Sequence, residues 1–330
     1  MCFIRKVKGR GSILLLVWCL TVPLAAQTPF RVLCYNVENL FDCQHDTLTN
    51  DYEFLPESIR HWTPSRYRHK LNEVAKVIAS AGETSAPELV GLCEVENDTV
   101  LTHLTRRSLL RTVGYRYVMT HGNDPRGIDI ALLYKPTYFH PITVEELSVP
   151  VQKIRSDAHA RPVLYVCGEL PCGDTLDVVV CHWPSKVDGS RRSEPLRLCA
   201  AEVVYHLADS IAAVRQNPYI LMMGDLNETP CDAAASSLSP LLCNLTAALP
   251  GTYRYRGRWE QLDQLFVSPQ LMDTSSRVHV AQSPEVLTLP RLLEDDVIFG
   301  GQKPIRTYHG MRYKGGVSDH LPVLLHLTLP

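Results

Sequence analysis

Polar and acidic side chains recur at the ends of apolar, strand-like segments along this chain. Six short segments show the pattern, and they are LCYNVENLF with Asn36 and Glu38, LVGLCEVEN with Glu94 and Glu96, VVVCHWPS with His182, ILMMGDLNETP with Asp225 and Asn227, QLDQLFVS with Asp263, and GGVSDHLPV with Asp319 and His320. Convergent carboxylate and amide oxygens favour Mg²⁺, Mn²⁺ or Ca²⁺ over zinc. A histidine beside acids can act as a general acid or base near neutral pH. If the strand ends meet, the sequence therefore predicts a divalent-metal site next to an acid–base histidine.

A framework of strands is needed to bring these groups together, and the sequence contains nine strand-like segments. They are short, rich in Val, Leu, Ile and Tyr, and separated by turns, which is typical of β-strands. The predicted strands cover residues 31–37, 88–95, 115–119, 128–134, 163–169, 176–182, 219–224, 262–267 and 322–327. The polar groups lie at or beside the ends of these strands.

Three segments are predicted as helices, over residues 66–80, 98–112 and 193–214. We expect Asp98 and Ser193 to be N-cap residues, with Pro195 in a first turn, where a missing N–H costs little. Strands of mixed pattern with few helices between them favour an α/β protein in which two mixed sheets pack face to face with helices outside. Segments 42–64 and 270–315 lack a clear pattern, and loops of this length are usually functional or disordered.

The first 26 residues have the features of a signal peptide. Four basic residues between positions 5 and 10 precede an apolar run at 13–24, and Ala25 and Ala26 supply small residues for cleavage. We therefore expect an exported protein whose mature chain is residues 27–330, a length that suits one large domain or two small ones. An uncleaved anchor is the alternative, although a spanning helix needs roughly 20 apolar residues. No second apolar run is long enough to cross a membrane.

The chain has 330 residues and a net charge of −2, and loss of the four basic residues of the signal peptide leaves −6. An acidic chain is not suited to strong non-specific attraction to nucleic acid, although local basic patches remain open. We expect the mature protein to be a monomer.

Nine of the eleven cysteines lie beyond the signal peptide, so at least one is free or pairs with another chain. Cys34, Cys93 and Cys181 lie in apolar segments, which predicts buried thiols. Cys167 and Cys172 flank a predicted hairpin turn, where a cross-turn disulfide could form. The sequence has no Cys-x-x-Cys pair, which disfavours structural zinc.

The ordered set N-x-E, G-L-x-E-V, H-W-P-S, G-D-L-N, L-D-x-L-F and S-D-H-L-P resembles the endonuclease/exonuclease/phosphatase superfamily. That superfamily includes pancreatic-type deoxyribonucleases, abasic-site nucleases, sphingomyelinases and inositol-polyphosphate phosphatases. The resemblance extends from residue 31 to about residue 327 and is carried most specifically by G-D-L-N and S-D-H. It implies a four-layer α-β-β-α sandwich of two mixed sheets, formed by residues 27–330.

The resemblance also implies a role for each matching residue. The implied metal-site residues are Asn36, Glu38, Glu94 and Asp319, with Glu94 as the principal ligand of Mg²⁺, Mn²⁺ or Ca²⁺. The implied catalytic residues are His182, which contacts the phosphate, Asp225, which acts on water, Asn227, which orients Asp225 and the phosphate, and the pair Asp263 and His320. Such donors and a metal would together stabilise charge that develops on the phosphoryl oxygens.

Two features depart from the family pattern or extend it. Cys93 lies where many members have Gln, and Glu96 is an additional acid that we interpret as a loop carboxylate. Arg126, Lys186 and Arg197 lie near the predicted site and could bind a phosphate, since arginine in particular forms paired hydrogen bonds with phosphate oxygens. The alternative for these basic residues is an ordinary structural or solvated role.

The sequence therefore predicts a phosphodiester hydrolase, similar to a nuclease, whose substrate contains phosphate and includes nucleic acid among the candidates. A phosphatase or phospholipid phosphodiesterase acting on inositol phosphates or sphingomyelin-type substrates is the alternative. A lipid enzyme would need exposed aromatic residues, and Trp62 and Trp259 lie in unpatterned segments that could present them. A non-catalytic binding protein is disfavoured because the site is complete.

Overall fold

The computed structural model describes residues 28–82, 84–186 and 189–330. The predicted signal peptide at residues 1–26 and its cleavage point lie outside the described residues. Within the described residues, no helix combines the length and the apolar character that a membrane crossing requires.

The first large sheet contains the strands that carry Asn36 and Glu94. Its strands are β1 (Thr28–Leu40), β2 (Leu89–Val95), β3 (Arg116–Met119), β4 (Asp129–Tyr134), β13 (His279–Val286) and β18 (Val323–Leu329). They lie in the order β13-β18-β1-β2-β4-β3. The central pair β1 and β2 is parallel and the other pairs are antiparallel, so the sheet is mixed.

The second large sheet contains the strands that carry His182, Asp225 and Asp263. Its strands are β5 (His140–Leu147), β6 (Val163–Glu169), β7 (Thr175–His182), β8 (Tyr219–Asp225), β9 (Cys243–Asn244) and β12 (Asp263–Val267). They lie in the order β5-β6-β7-β8-β12-β9, and β7 and β8 are its parallel pair. Three short hairpins complete the strands, namely β10 (Tyr253–Tyr255) with β11 (Arg258–Glu260), β14 (Leu293–Asp295) with β15 (Gln302–Pro304), and β16 (Tyr308–His309) with β17 (Arg312–Tyr313).

Alternating side chains on the strands build three apolar layers between four layers of structure. Val32 and Cys34 of β1 pack between the two sheets with residues such as Leu221 of β8, whereas Leu33 and Tyr35 face the helical side of the first sheet. A third apolar cluster joins the outer face of the second sheet to its helices. Because side chains on a strand alternate between faces, each buried strand contributes to two layers. The predicted four-layer α-β-β-α sandwich is confirmed.

The helices are α1 (Pro64–Ser80), α2 (Asp98–Thr102), α3 (Ser190–Val214), α4 (Ala233–Ser236) and α5 (Pro269–Met272). The predicted helix 98–112 is wrong in its length, because α2 continues into a π-helical turn over His103–Arg107 and a 3-10 turn. Its cap is Asn97, whose side chain accepts from the Val100 amide, so Asp98 is not the N-cap. Helix α3 begins earlier than predicted and Gly189 is its cap residue, so Ser193 is not an N-cap either.

All nine predicted strands are present, but the edge strands β5 and β13 were missed. Most side chains of β5 are exposed or half-buried, and it contains a proline and two adjacent glutamates. Edge strands are often protected from aggregation by charge and proline, which removes the apolar alternation that predicts a strand. Their position at the sheet edge is set by neighbours in space rather than by their own sequence.

Two interpretations of side chains change in the structure. Trp62 is fully buried and its indole nitrogen donates to the Phe41 carbonyl, so it is not available to a lipid, and Trp259 is half-buried. All nine cysteines among the described residues are free thiols. The suggested disulfide between Cys167 and Cys172 is therefore absent from the structure.

Candidate active site

The predicted polar residues meet at one edge of the sandwich, where strands of both sheets end. Asn36 and Glu94 lie near the ends of β1 and β2, and Asp225 of β8 is opposite both His182 and Asp263 in the second sheet. One hydrogen bond joins the two sheets here, because Nδ2 of Asn36 donates to Oδ2 of Asp225 over 2.9 Å. The structure therefore brings together residues that are far apart in sequence.

Gly224 allows Asp225 to lie this close to the neighbouring strand. Its φ is +147°, and a Cβ at this position would lie 1.8 Å from the carbonyl oxygen of Cys181 on β7. Only glycine adopts such a backbone without a steric penalty. Any side chain here would separate β7 from β8 and displace Asp225 from His182.

His320 and Asp263 form a buried pair. Nδ1 of His320 donates to Oδ2 of Asp263 over 2.6 Å, and the same oxygen accepts a 2.5 Å hydrogen bond from Oγ1 of Thr252. Burial opposes a charge on the ring, yet the carboxylates of Asp263 and Asp225 outweigh it and raise the pKa of His320 well above its ordinary value. His320 is therefore a cation at neutral pH, with Nε2 at 3.7 Å from Oδ2 of Asp225.

Asp225 is a buried carboxyl group that ionises near neutral pH. Burial raises its pKa, His320 lowers it and Asp263 raises it, and the result is about 7. Its Oδ1 accepts a 2.9 Å hydrogen bond from the backbone N–H of Asn227. Because each carboxylate oxygen can accept more than one hydrogen bond, Asp225 can still accept a proton from water. A pKa near neutrality suits a general base, and Asp225 combines it with a position beside His320 and Asn36.

Asn227 acts differently from the prediction. Its side-chain nitrogen donates to the Trp183 carbonyl over 3.1 Å, so its backbone, not its amide side chain, orients Asp225. The bond to Trp183 fixes the chain after β8 against the chain after β7.

Four non-glycine residues of the site have positive φ angles, namely Glu38 (47°), Asn39 (52°), Glu94 (67°) and Asn227 (50°). Such backbone costs on the order of 1–3 kcal/mol per residue and persists only where the surrounding structure enforces it. At Glu94 it coincides with an irregularity in the pairing of β2 with β4. The strain redirects polar side chains toward the site at the point where regular pairing ends.

Glu94 lies beside Asp225, and Asn36 binds both carboxylates. Nδ2 of Asn36 is 3.3 Å from Oε1 of Glu94, while Oε2 accepts a 2.8 Å hydrogen bond from the backbone N–H of Asn39. The Glu94 side chain keeps 14% exposure. The hydrogen-bond donors to Glu94 are neutral, and with the neighbouring Asp225 carboxylate it forms a hard-oxygen environment suited to a divalent cation.

No group of three or more His, Cys, Asp or Glu side chains within the described part of the chain is arranged to enclose a metal. Mg²⁺ fits this arrangement, since it commonly keeps several waters and binds through one or two carboxylates plus substrate phosphate oxygens. Glu94 is the residue that would hold such an ion, with Asn36 fixing its orientation.

His182 is neutral, in contrast to His320. Burial and the charges of Arg161, Arg126 and His320 lower its pKa well below the ordinary value. Nη2 of Arg161 lies 3.0 Å from Nε2 of His182, and a guanidinium can only donate, so Nε2 accepts and the ring proton is on Nδ1. In this state Nε2 cannot donate to a phosphate. The predicted phosphate contact of His182 therefore depends on Arg161, which Asp124 binds over 2.7 Å.

Glu38 and Asp319 form a second acidic pair, because both contact the same arginine. Arg306 bridges them, because its Nη2 donates to Oδ2 of Asp319 and its Nε is 3.4 Å from Oε1 of Glu38. Burial and the charge of Asp319 raise the pKa of Glu38 to about 7, although Lys70 and Arg306 lower it. The predicted four-residue metal set is thus divided between two carboxylate groups.

The three predicted substrate-binding cations have different surroundings. Arg126 is about half exposed, and its Nε lies 3.6 Å from Asp124. Lys186 pairs with Asp232 at 3.2 Å. Arg197 is fully buried and bonded to Glu228, so it fixes the loop after β7 from within and does not face a substrate.

Four residues that contact the site were not singled out from the sequence, and they are Lys70, Thr252, Tyr253 and Arg306. The ring of Tyr253 packs on His320 with centroids 4.9 Å apart. Arg306 lies in segment 270–315, for which the missing pattern predicted a functional or a disordered loop. Nothing in the sequence around Thr252 or Lys70 distinguishes them from ordinary surface residues.

The family model described as the Endonuclease/Exonuclease/phosphatase family matches residues 31–329. No curated protein matches the chain in sequence. The match to the family model runs from the first strand of the first sheet to its last strand and includes every residue discussed above.

Solved structures share the fold at low sequence identity. An endonuclease/exonuclease/phosphatase family protein from Bacteroides thetaiotaomicron is 16% identical, with 92% of this chain and 99% of that chain covered and a TM-score of 0.58. A mannosyl-6-phosphatase of the same species is 18% identical, with 90% and 99% covered and a TM-score of 0.58. TDP2 of D. rerio, complexed with single strand DNA product, is 14% identical, with 91% and 99% covered and a TM-score of 0.57. At these identities the similarity shows the fold alone.

His320→Ala should lower kcat for a diester probe such as bis(p-nitrophenyl) phosphate by about 10²–10⁴, because the cation beside Asp225 is lost. Asp263→Ala should lower kcat too, and the double variant should lose less than the two single losses combined, because the pair acts as a unit. The measurements are kcat and melting temperature, with His309→Ala, at an exposed histidine, as the control. Losses that combine independently would contradict a coupled pair. A lower melting temperature with unchanged kcat would assign His320 a structural role only.

The pH profile of kcat/KM should rise through about pH 7, because Asp225 must be ionised to accept a proton from water and its pKa is about 7. The rate should fall again only at alkaline pH, where His320 loses its proton, since its pKa is raised. Asp225 and His320 interact, so the apparent pKa values of the two limbs of the pH profile belong to the pair and not to either residue alone. Asp225→Asn should abolish the acidic limb together with most of the rate. A wild-type profile that is flat between about pH 5 and pH 8 would contradict the assignment.

Proposed function

Since the chain belongs to the endonuclease/exonuclease/phosphatase family and is a phosphoester hydrolase, we propose that it hydrolyses a phosphodiester with a divalent metal held at Glu94. The observation that carries the proposal is the 3.7 Å between Nε2 of His320 and Oδ2 of Asp225. This places a cationic acid beside a carboxylate whose pKa is near neutrality. Such a pair can take a proton from water and return one to a leaving oxygen.

In the proposed reaction Asp225 accepts a proton from the attacking water as the new P–O bond forms. His320 donates to a phosphoryl oxygen or to the leaving oxygen as the scissile P–O bond breaks, while Asp263 and Thr252 keep its ring oriented. A divalent metal, when bound, neutralises negative charge on the phosphoryl oxygens. Donors that are already oriented toward the developing charge are typically the largest catalytic contribution.

The charges around the site support an anionic substrate. Arg161 and the half-exposed Arg126 lie on the His182 side, and the half-exposed Arg306 lies beside Asp319 on the other. Guanidinium groups bind phosphate oxygens through paired hydrogen bonds. A phosphate group can therefore meet a cationic group on either side of the catalytic pair.

A phosphate monoester is the second candidate substrate. A monoester carries about one more negative charge than a diester near neutral pH, and the arginines on both sides of the site favour the more charged group. Among proteins of the same fold, one is a mannosyl-6-phosphatase and another was solved with a single strand DNA product. Both substrate classes therefore belong in one assay.

Hydrolysis should stop in EDTA and return on addition of Mg²⁺ or Mn²⁺. The family consists of metal-dependent enzymes, and the hydrogen-bond donors to Glu94 are neutral groups. The assay panel consists of single-stranded and duplex DNA, RNA, sugar and inositol phosphates, and sphingomyelin. Glu94→Gln should raise the metal concentration needed for half-maximal rate, whereas Glu57→Gln, at an exposed acid, should not. Full activity after exhaustive chelation would exclude the proposed chemistry, and turnover of monoesters alone would favour the second candidate.

We also propose that the protein is exported, on the basis of the basic start, apolar run and small residues of the first 26 positions. The mature protein should begin near Gln27. Intact-mass measurement of native protein checks this, and a species that retains Met1 or Cys2 would refute cleavage.

A further inference from the structure

Arg306 lies between two carboxylates next to the catalytic centre. Its guanidinium bonds both Asp319 and Glu38, and Glu38 also accepts a 2.7 Å hydrogen bond from the backbone N–H of Thr307. The side chains of Glu38 and Asp319 are only 9% and 16% exposed, whereas Arg306 is 45% exposed. One half-exposed cation therefore lies between two nearly buried acids.

A second cation completes this charge balance. Lys70 is almost completely buried, and its ammonium donates to the carbonyl of Glu38 and to Oγ1 of Thr307. With both cations in place, the Glu38–Asp319 pair has no excess negative charge to attract an additional dication. A metal that bound both carboxylates would compete with Arg306 for Oε1 of Glu38 and Oδ2 of Asp319.

The surroundings of Glu94 differ in charge. Its hydrogen-bond donors are the neutral amide of Asn36 and the backbone N–H of Asn39. The Asp225 carboxylate is bonded to the same amide nitrogen. Excess negative charge is thus concentrated at Glu94 and not at Glu38 or Asp319.

We propose that Arg306 is a positioning residue that keeps Glu38 and Asp319 out of metal coordination, so that the enzyme uses one divalent ion at Glu94. The guanidinium occupies the place where a second ion would need both carboxylates. This inference rests on the proposed function, since it assumes that Glu94 binds a metal. It assigns Glu38 and Asp319 a role in holding Arg306 near the phosphate rather than a role as ligands.

Mn²⁺ binding tests the inference directly, by titration calorimetry and by the electron paramagnetic resonance of bound Mn²⁺. The wild-type full-length mature protein should bind one ion per chain. Arg306→Gln should bind Mn²⁺ on the order of tenfold more tightly or bind a second ion, because one neighbouring positive charge is removed and two carboxylates become available. Arg312→Gln removes the same charge from an exposed position of the same segment and should leave binding unchanged.

A double variant with unchanged net charge tests whether Glu38 is a metal ligand or only a charged neighbour of the metal site. Glu38→Gln with Arg306→Gln removes one negative and one positive charge, so its Mn²⁺ affinity should stay within a factor of about three of wild type. Glu94→Gln should lose binding. Melting temperatures verify that each variant is folded, and the double variant tests the inference even if Arg306→Gln alone is unstable.

Three results would overturn the inference, namely two ions in the wild type, unchanged binding in a folded Arg306→Gln, or loss of binding in the double variant equal to that of Glu94→Gln. Each of them leaves the proposed function intact. An absence of Mn²⁺ binding together with hydrolysis that resists chelation would instead overturn the proposed function and this inference together.

Discussion

The amide nitrogen of Asn36 bonds Asp225 from the opposite sheet and Glu94 from the adjacent strand. These contacts impose the central constraint of the structure, because they hold acidic groups close together at the edge of an apolar core. Two unit charges 4 Å apart repel by about 4 kcal/mol at an effective dielectric constant of 20. The fold tolerates this only if neighbouring groups supply positive charge, hydrogen bonds or a bound proton.

Each acid meets that constraint in a different way. Asp263 is bonded to the His320 cation and to Thr252, while Glu38 and Asp319 share Arg306. Asp225 instead has a pKa near neutrality, so it exchanges its proton in the range where a general base is useful. Glu94 has neutral donors only, which leaves it suited to a metal. The division of chemical roles follows from the way in which each carboxylate is compensated.

Neighbouring charges also set the protonation states of the two histidines of the site. His320 faces Asp263 and Asp225 and is a cation, whereas His182 faces Arg161 and is neutral. Both rings are buried at the same edge of the sandwich. Burial opposes a charge on both rings. Asp263 and Asp225 outweigh it at His320, whereas Arg161 and Arg126 add to it at His182, and only the cation can serve as an acid.

The sequence by itself determined nine of the strands, the two mixed sheets and the polar residues that would meet, because strand periodicity and the motifs G-D-L-N and S-D-H are local patterns. For segment 270–315 it left a functional and a disordered loop open, and it did not indicate that Arg306 contacts the site. The edge strands, the cap residues Asn97 and Gly189, and the irregular continuation of α2 depend on packing and local backbone geometry. So do the burial of Arg197, the tautomer of His182 and the contact of Arg306 with Glu38 and Asp319. These features are set by which charges and carbonyls lie nearby in space, and residues that are distant in sequence become neighbours only when the two sheets pack.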